Sequence, residues 1–121
     1  MTATPAKDIE AGWILESPNG GNKATRLVFG ETRLRRAVPG LTIGRHPALC
    51  DLILDEESVS KRHVRISQTA EGLFVEDLNS LNGALLDNVE LKPFRLTPIS
   101  EGQTLTVGRV NLPFNRLSDR L

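Results

Sequence analysis

Residues 63–67, HVRIS, and residues 73–77, LFVED, decide the fold of this chain. In the first run Val64 and Ile66 alternate with polar neighbours, so both apolar side chains fall on one face of an extended strand. Short runs of the same kind, broken by turn residues, continue across residues 13–117. This pattern is typical of short β-strands joined by tight connections.

The rest of the chain supplies the other predicted strands. They cover residues 13–16, 25–29, 32–38, 41–43, 51–54, 84–86, 89–91, 103–107 and 110–117. The strands at 25–29 and 32–38 flank Gly30-Glu31 and are predicted to form a hairpin with a tight turn. No segment sustains an apolar stripe of helical period over the ~10 residues that a helix prediction needs. We therefore predict an all-β fold, a two-sheet β-sandwich of about eleven strands with binding loops at one end.

The composition excludes several classes of protein. With 121 residues the chain is long enough for one domain with a single core. Fifteen basic and fifteen acidic residues give a formal net charge of zero, which argues against a general attraction to nucleic acid or anionic membranes. Cys50 is the only cysteine, so we expect a small buried or half-buried apolar residue and neither a disulfide framework nor a thiolate zinc site. We predict no metal, no cofactor, no nucleic-acid partner and no membrane insertion.

The beginning of the chain differs in composition from the rest. Residues 1–12 are polar and contain a proline and a glycine, so we predict a flexible tail there, followed by one sandwich domain over residues 13–121. The first residues lack the apolar core of a signal peptide. We therefore expect the protein to be intracellular and place it in the cytoplasm.

Three polar segments rich in turn residues, 44–51, 55–62 and 78–83, connect predicted strands. If the flanking strands are neighbours, these loops share one end of the sandwich, where a stiff scaffold positions binding residues. Together they carry a guanidinium, a hydroxyl and a side-chain amide. Such groups bind a phosphate ester on a peptide, and no cluster here is built for breaking bonds.

The chemistry lies in three short motifs, Gly44-Arg45, Ser60-Lys61-Arg62-His63 and Ser80-Leu81-Asn82-Gly83. Arg45 can meet two phosphate oxygens with its planar fork, which a lysine could not reproduce. Ser60 can donate its hydroxyl to another oxygen, and the backbone N–H or the ammonium of Lys61 can add a further contact. The motifs together favour binding of a phosphorylated peptide.

The same motifs, in the same order, resemble the forkhead-associated (FHA) domain. The run GRHPALCDLILDEESVSKRHVRI at residues 44–66 and the run DLNSLNG at residues 77–83 match its pattern of Gly-Arg, then Ser-x-x-His, then Ser-x-Asn-Gly. The later run EGQTLTVGR, residues 101–109, is similar to the family's C-terminal strands. The resemblance extends over residues 13–117 and implies an eleven-stranded sandwich whose apical loops bind phosphothreonine.

The resemblance also implies a role for each motif residue. The phosphopeptide contacts that it implies are Arg45, Ser60, Lys61, Leu81 and Asn82. The loop-shaping residues that it implies are Gly44, His63 and Gly83. Asn82 corresponds to the family's asparagine that holds the peptide backbone. Leu81 stands where many members carry a threonine, so one hydroxyl donor is missing.

Two further positions follow from the resemblance. Ser58 stands where some members place a residue that reads the peptide beyond the phosphothreonine, and its short side chain has no strong charge preference. FHA-like domains can be regulated by their own phosphorylated tail, and Thr2 and Thr4 lie in the predicted tail. The two threonines are therefore a hypothesis for regulation.

Three functions are open at this point. The leading hypothesis is a signalling adaptor whose partner is a phosphothreonine-containing protein, either a Ser/Thr kinase or its substrate. The alternative is a phosphate-independent interaction scaffold on the same fold. The third is a hydrolase that uses Ser60 and His63, although a nucleophile needs a base in reach, an orienting carboxylate and an oxyanion hole. We predict a binding module and not an enzyme.

Overall fold

The structure is a computed structural model, and it describes residues 11–17 and 25–117. Residues 1–10, with Thr2 and Thr4, lie outside the described residues. The flexible tail, its boundary with the domain and the regulatory threonines therefore stay predictions.

Eleven strands and one short helix make up the described part of the chain. In chain order they are β1 (Gly12–Ser17), β2 (Thr25–Gly30), α1 (Glu31–Arg36), β3 (Leu41–Gly44), β4 (Leu52–Ile53), β5 (Val64–Thr69), β6 (Gly72–Asp77), β7 (Ala84–Leu86), β8 (Val89–Glu90), β9 (Thr97–Pro98), β10 (Thr104–Val107) and β11 (Val110–Arg116). One sheet has the order β2-β1-β11-β10-β7-β8 and the other the order β4-β3-β5-β6-β9. The predicted all-β sandwich of two sheets and eleven strands is confirmed.

One hydrophobic core draws its residues from both sheets. In β5, Val64 and Ile66 are fully buried while Arg65 between them is half-buried. In the other sheet, Leu112 and Phe114 of β11 are fully buried in the same way. Because successive side chains of a strand point to opposite faces, the two-residue period of the sequence determines which face joins the core.

The prediction of a second hairpin strand at residues 32–38 is wrong. The structure has α1 there, and Leu34 is its buried residue. A single buried leucine fits either a strand or one turn of helix, so its alternation with arginines does not discriminate between them. Local charges favour the helix, because Glu31 lies in the first turn and arginines lie in the last. Arg35 also pairs with Glu31 one turn earlier, at 3.7 Å.

The sequence prediction missed β9, which pairs with β6 at the edge of the five-stranded sheet. Pro98 of β9 lies opposite Phe74. A proline has no N–H to donate to a neighbouring strand, so it is tolerated at a sheet edge but gives no signal of a strand there. Apart from residues 32–38, the other predicted strands match strands of the structure with ends shifted by at most two residues.

Strand register brings the three polar loops to one end of the sandwich. Ile43 pairs with Val64, and Val64 pairs with Asp77. The end of β3, the start of β5 and the end of β6 are therefore neighbours, and the loops that leave them share one edge of the molecule, as predicted. We call these loops together the loop rim, residues 44–51, 55–62 and 78–83.

Candidate functional site

A cavity of about 320 Å³ opens at the loop rim. It is lined by all five predicted contact residues, Arg45, Ser60, Lys61, Leu81 and Asn82. Its lining also includes residues that the sequence prediction left out, Glu57, Val59, Arg62, Asn79 and Ser80. Residues from all three loops thus meet around one space.

Arg45 follows directly on β3, and its guanidinium is held from one side. The backbone N–H of Arg45 donates to the carbonyl of Ser60 at 3.0 Å, and its Nε–H donates to the carbonyl of Val59 at 2.8 Å. The terminal nitrogens Nη1 and Nη2 make no hydrogen bond with any residue that the structure describes. A guanidinium anchored in this way keeps its terminal donors available for two oxygens of one anion.

Gly44, the last residue of β3, lies against the second loop of the rim. A Cβ atom at this position would collide with the carbonyl oxygen of Lys61 and would come within 2.8 Å of Cys50 Sγ. The thiol of Cys50 donates to the same carbonyl at 2.8 Å. Only glycine permits this approach of the first loop to the second. Cys50 is half-buried, as expected, and burial raises the pKa of its thiol.

His63 connects the second and third loops of the rim. Its side chain is fully buried, and its Nδ1 accepts the backbone N–H of Ser60 at 2.9 Å. Its Nε2 lies 2.8 Å from the carbonyl oxygen of Gly83, so Nε2 carries the proton and donates it. Burial lowers the pKa of His63 below its ordinary value, which keeps the ring neutral at pH 7. The ring acts as a brace between two loops.

The hydroxyl of Ser60 is positioned by the third loop. Its Oγ accepts the backbone N–H of Leu81 at 3.0 Å. A hydroxyl that accepts through its oxygen keeps its own proton to donate, so this O–H remains available to a ligand in the cavity. The Leu81 side chain itself is 89% exposed, so it is free to contact a ligand.

Ser60 and His63 are not arranged as a nucleophile and its base. Both ring nitrogens of His63 are bonded to backbone groups, of Ser60 and of Gly83. Neither nitrogen is left to take a proton from the Ser60 hydroxyl, which is what a base in such a pair must do. The hydrolase hypothesis therefore gains no support from the geometry.

Asn82 reaches back across the cavity to the second loop. Its Nδ2 donates to the carbonyl of Ser58 at 2.8 Å, which leaves its Oδ1 available to accept a hydrogen bond. Ser58 is only 3% exposed, and its hydroxyl contacts the carboxylate of Glu56 and accepts the backbone N–H of Arg109 at 2.8 Å. Ser58 therefore has no free hydroxyl with which to read a peptide, and it joins the second loop to the turn between β10 and β11.

Asp77 and Ser80 give the third loop its shape. Asp77 is 2% exposed, and its carboxylate accepts the Ser80 hydroxyl at 2.6 Å and the Ser80 backbone N–H at 3.3 Å. The Ser80 oxygen in turn accepts the backbone N–H of Gly83 at 3.0 Å. Gly83 has φ of +79°, which favours glycine. An aspartate at a strand end is a signal from which this loop shape could be predicted, because its side chain commonly bonds the backbone a few positions on.

A family model of the FHA domain matches residues 41–108, which contain the whole loop rim. The chain belongs to the FHA family. FHA domains are interaction modules. The resemblance that the motifs indicated is confirmed.

Relatives of this FHA domain come from distant organisms. FHA domain-containing protein PS1 of Arabidopsis thaliana is 34% identical over 70 residues, 56% of this chain and 5% of that protein. The nuclear inhibitor of protein phosphatase 1 of Homo sapiens is 33% identical over 99 residues, 80% of this chain and 26% of that protein. The oxoglutarate dehydrogenase inhibitor of Corynebacterium efficiens is 32% identical over 114 residues, 93% of this chain and 72% of that protein. This FHA domain thus spans only a small part of the first two relatives.

Solved FHA domains have the same fold. The FHA domain of CT664 from Chlamydia trachomatis superposes with a TM-score of 0.66 at 19% identity, covering 88% of this chain and 97% of that chain. Another, from a structural and functional analysis of phosphothreonine-dependent FHA domain interactions, superposes with a TM-score of 0.63 at 22% identity. It covers 86% of this chain and 95% of that chain. At these identities the likeness shows the fold alone.

The cavity of this FHA domain is predominantly positive. The cationic residues in its lining are Arg45, Lys61 and Arg62, and the acidic one is Glu57. A phosphorylated side chain carries about −1.5 to −2 charges at neutral pH, so three cations around one space attract it strongly. The positive charge is therefore concentrated at the cavity, although the formal net charge of the whole chain is zero.

Two other kinds of feature are absent from the part of the FHA domain that the structure describes. In residues 11–17 and 25–117, no group of three or more His, Cys, Asp or Glu side chains is placed to hold a metal ion. In the same residues, no helix has the length and apolar character needed to cross a membrane.

Proposed function

We propose that this FHA domain binds phosphothreonine-containing peptides at the cavity of the loop rim and acts as a signalling adaptor. The observation that carries the proposal is the convergence of Arg45, Ser60 and Lys61 on one cavity, each from a loop that other contacts hold in place. Such a set can both neutralise and hydrogen-bond a phosphate dianion.

The phosphate contacts divide between the first two loops. Arg45 supplies a guanidinium whose terminal nitrogens have no partner among the described residues. Ser60 supplies a hydroxyl whose oxygen is already bonded at 3.0 Å to the N–H of Leu81, so its proton is the free end. Lys61 adds an exposed ammonium in the cavity lining. Each hydrogen bond to a charged group contributes about 1.5–3 kcal/mol net.

The peptide contacts come from the third loop. Asn82 is fixed by its Nδ2 bond to Ser58, and the Oδ1 that remains can accept a backbone N–H of the peptide. Leu81 offers an exposed apolar side chain next to it. Since ordering a flexible peptide and losing its free motion cost several kcal/mol, we expect a Kd of the order of micromolar, about −8 kcal/mol.

Fluorescence anisotropy with labelled peptides tests the proposal. Three versions of one peptide library, carrying phosphothreonine, phosphoserine or threonine at the central position, are titrated with the domain. We expect micromolar binding of the phosphothreonine library and at least tenfold weaker binding of the unmodified one, because most of the contacts are to the phosphate.

Two arginine variants sharpen the test. Arg45→Ala removes the fork from the cavity, and we expect it to weaken phosphothreonine binding at least tenfold. Arg26→Ala is the matched control, because Arg26 lies on β2, is exposed and makes a weak ion pair with Glu16 at 3.9 Å. Equal affinity of Arg45→Ala and the unsubstituted domain for the phosphothreonine library would contradict the proposal.

A phosphate-independent scaffold is the second candidate. Val89, Phe94 and Leu96 are 68%, 64% and 50% exposed, and none of them lines the cavity. Contiguous exposed apolar surface is typical of protein contacts, and these three residues lie within one segment of the chain. Pull-downs from phosphorylated and phosphatase-treated lysates separate the candidates, since equal recovery of partners favours the scaffold and loss after treatment favours phosphothreonine binding.

The partner and its location follow from the proposed ligand. Phosphothreonine is made by Ser/Thr kinases, so we propose that the partner is such a kinase or one of its substrates. We place the protein in the cytoplasm with them. Mass spectrometry of partners captured by the unsubstituted domain, but not by Arg45→Ala, tests the partner class, and microscopy of a fluorescent fusion tests the location.

A further inference from the structure

Glu56 and Glu57, two neighbours in the acidic run Asp55-Glu56-Glu57 of the second loop, have different surroundings in the structure. The carboxylate of Glu56 accepts the hydroxyl and, at 2.8 Å, the backbone N–H of Ser58, and these hydrogen bonds lower the pKa of Glu56. Glu57, the next residue, is instead exposed and lines the cavity together with the cationic residues. One acidic side chain therefore faces the space where a phosphopeptide is proposed to bind.

Contacts between the loops show on which side of the cavity Glu57 lies. The second and third loops run side by side, since Ser60 Oγ bonds Leu81 N at 3.0 Å and the carbonyl of Ser58 bonds Asn82 Nδ2 at 2.8 Å. Glu57 precedes Ser58 in the chain, so, counted from Ser60, it lies one residue beyond the pair that includes Asn82. Three residues of chain span at most about 10 Å, so Glu57 is within the reach of about three residues of an extended peptide from Ser60.

We propose that Glu57 is a specificity-determining residue that selects a lysine or arginine in the bound peptide, within about three residues of the phosphothreonine. The selected cation lies on the side of the phosphate where Asn82 holds the peptide. This inference rests on the proposed function of the same cavity.

Charges in the occupied cavity favour this selection. A phosphate of about −1.5 to −2 charges offsets at least half of the charge of Arg45, Lys61 and Arg62, and so weakens their attraction for the Glu57 carboxylate. A peptide cation near Glu57 is attracted by that carboxylate and by the peptide's own phosphate, whereas an acidic residue is repelled by both. Selection by charge at an exposed site changes the affinity by a modest factor, and salt weakens it.

Arg109 is another charged residue on this side of the cavity that is a candidate for selecting a peptide side chain. Its backbone N–H donates to Ser58 Oγ at 2.8 Å, so it lies close to the end of the cavity where Glu57 is found. Arg109 is not part of the cavity lining, and its charge acts on Glu56, whose pKa it helps to lower after the hydrogen bonds from Ser58. Glu57 lines the cavity and Arg109 does not, which favours Glu57 as the residue that the peptide meets.

A charge scan of the peptide tests the proposal. The probes are labelled phosphothreonine peptides of serine and alanine with one arginine, or one glutamate, at each of the four positions on either side. We expect the arginine peptide to bind roughly three- to tenfold more tightly than the glutamate peptide at one or two adjacent positions on one side, at low salt. The ratio should fall toward one at high salt, because exposed charges are screened there.

Variants of Glu57 connect the preference to the residue. Glu57→Gln should bring the ratio close to one, and Glu57→Lys should invert it so that the glutamate peptide binds better. Glu71→Lys is the matched control, with the same change of charge at an exposed residue in the turn between β5 and β6. That turn lies at the far end of the strand that leaves the loop rim, so the control should keep the original preference.

The outcomes distinguish this inference from the function on which it rests. A preference for arginine that Glu57→Lys inverts and Glu71→Lys leaves intact supports it. Binding of all phosphothreonine peptides without a charge preference, or a preference that Glu57→Lys does not change, overturns it and leaves the proposed function standing. A preference for glutamate that disappears in Arg109→Ala overturns it in favour of Arg109. Failure of every phosphothreonine peptide to bind the unsubstituted domain overturns the proposed function and this inference together.

Discussion

The imidazole of His63 lies between two backbone groups of the loop rim, with Nδ1 2.9 Å from the amide nitrogen of Ser60 and Nε2 2.8 Å from the carbonyl oxygen of Gly83. One buried ring thereby sets the distance between the loop that carries Ser60 and the loop that carries Asn82. The positions of the proposed phosphate and peptide contacts thus depend on a residue that itself lies beneath the cavity surface.

Loss of the His63 ring should destabilise the domain strongly. His63→Ala leaves the Ser60 N–H and the Gly83 carbonyl without their buried partner, and we expect it to lower the free energy of unfolding by about 2–4 kcal/mol. Urea denaturation measures this change. The matched control is His46→Ala, whose ring, among the residues that the structure describes, bonds only the nearby N–H of Ala48, with an expected loss of less than about 1 kcal/mol. Equal effects of the two substitutions would show that His63 is not a brace.

Stability should fall as the pH drops below the ordinary pKa of histidine. Burial lowers the pKa of His63 in the folded state from its ordinary value of 6.5, so between the two values the unfolded chain binds more protons than the folded one. The free energy of unfolding therefore rises with pH across this window and the contribution of His63 levels off above it. Urea denaturation at several pH values, compared with His63→Gln, checks the prediction. An unchanged slope in His63→Gln would assign the pH dependence to other groups.

Substitution of Gly44 should destabilise the loop rim even by one methyl group. In Gly44→Ala the new Cβ collides with the carbonyl oxygen of Lys61, which is backbone and cannot rotate away. We expect a loss of about 2 kcal/mol or more in the free energy of unfolding. The double variant with Cys50→Ala removes the second contact, at 2.8 Å, but not the first. Full recovery of stability in the double variant would contradict this account.

Replacement of Leu81 by threonine should strengthen phosphate binding. Leu81 stands where many members of the family carry a threonine, and it is 89% exposed, so the change costs the core nothing. The new hydroxyl can donate one more hydrogen bond to the phosphate, for which we expect a two- to tenfold lower Kd, about 0.5–1.5 kcal/mol. Anisotropy with the phosphothreonine library measures it. Leu81→Val, which matches the shape without the hydroxyl, should give no gain, and equal gains from both variants would point to an effect of size alone.

Much of the sandwich could be predicted because strand signals are local. The alternation of Val64 and Ile66 with polar residues is visible in five consecutive letters, and both side chains are buried as the alternation requires. The failure at Leu34 has the same physical origin, since one apolar residue among arginines does not define a period. Pro98 was missed because the pairing of a two-residue edge strand is determined by its neighbour and not by its own sequence.

For the candidate site, the residue types were predictable and the connections between them were not. The order of the motifs predicted Arg45, Ser60 and Asn82 as contact residues, and all three line the cavity. Ser58 and Glu57 are adjacent polar residues in the sequence, yet Ser58 is 3% exposed while Glu57 faces the cavity. Burial of one and exposure of the other depend on which loop packs against them, and that information lies dozens of residues away in the chain.

The sequence by itself determined the all-β class, the three polar loops and the chemical groups that they carry, because periodicity and residue type are properties of short segments. The tertiary structure decided which atoms of those groups remain available. Ser60 Oγ accepts the backbone N–H of Leu81. Arg45 Nε donates to the carbonyl of Val59, and Asn82 Nδ2 donates to the carbonyl of Ser58. Each bond uses one end of a side chain and leaves the other end for a ligand. The packing of loops that are distant in sequence decides which end is bonded and which stays free. These donors and acceptors meet only when the strands that carry their loops are in register.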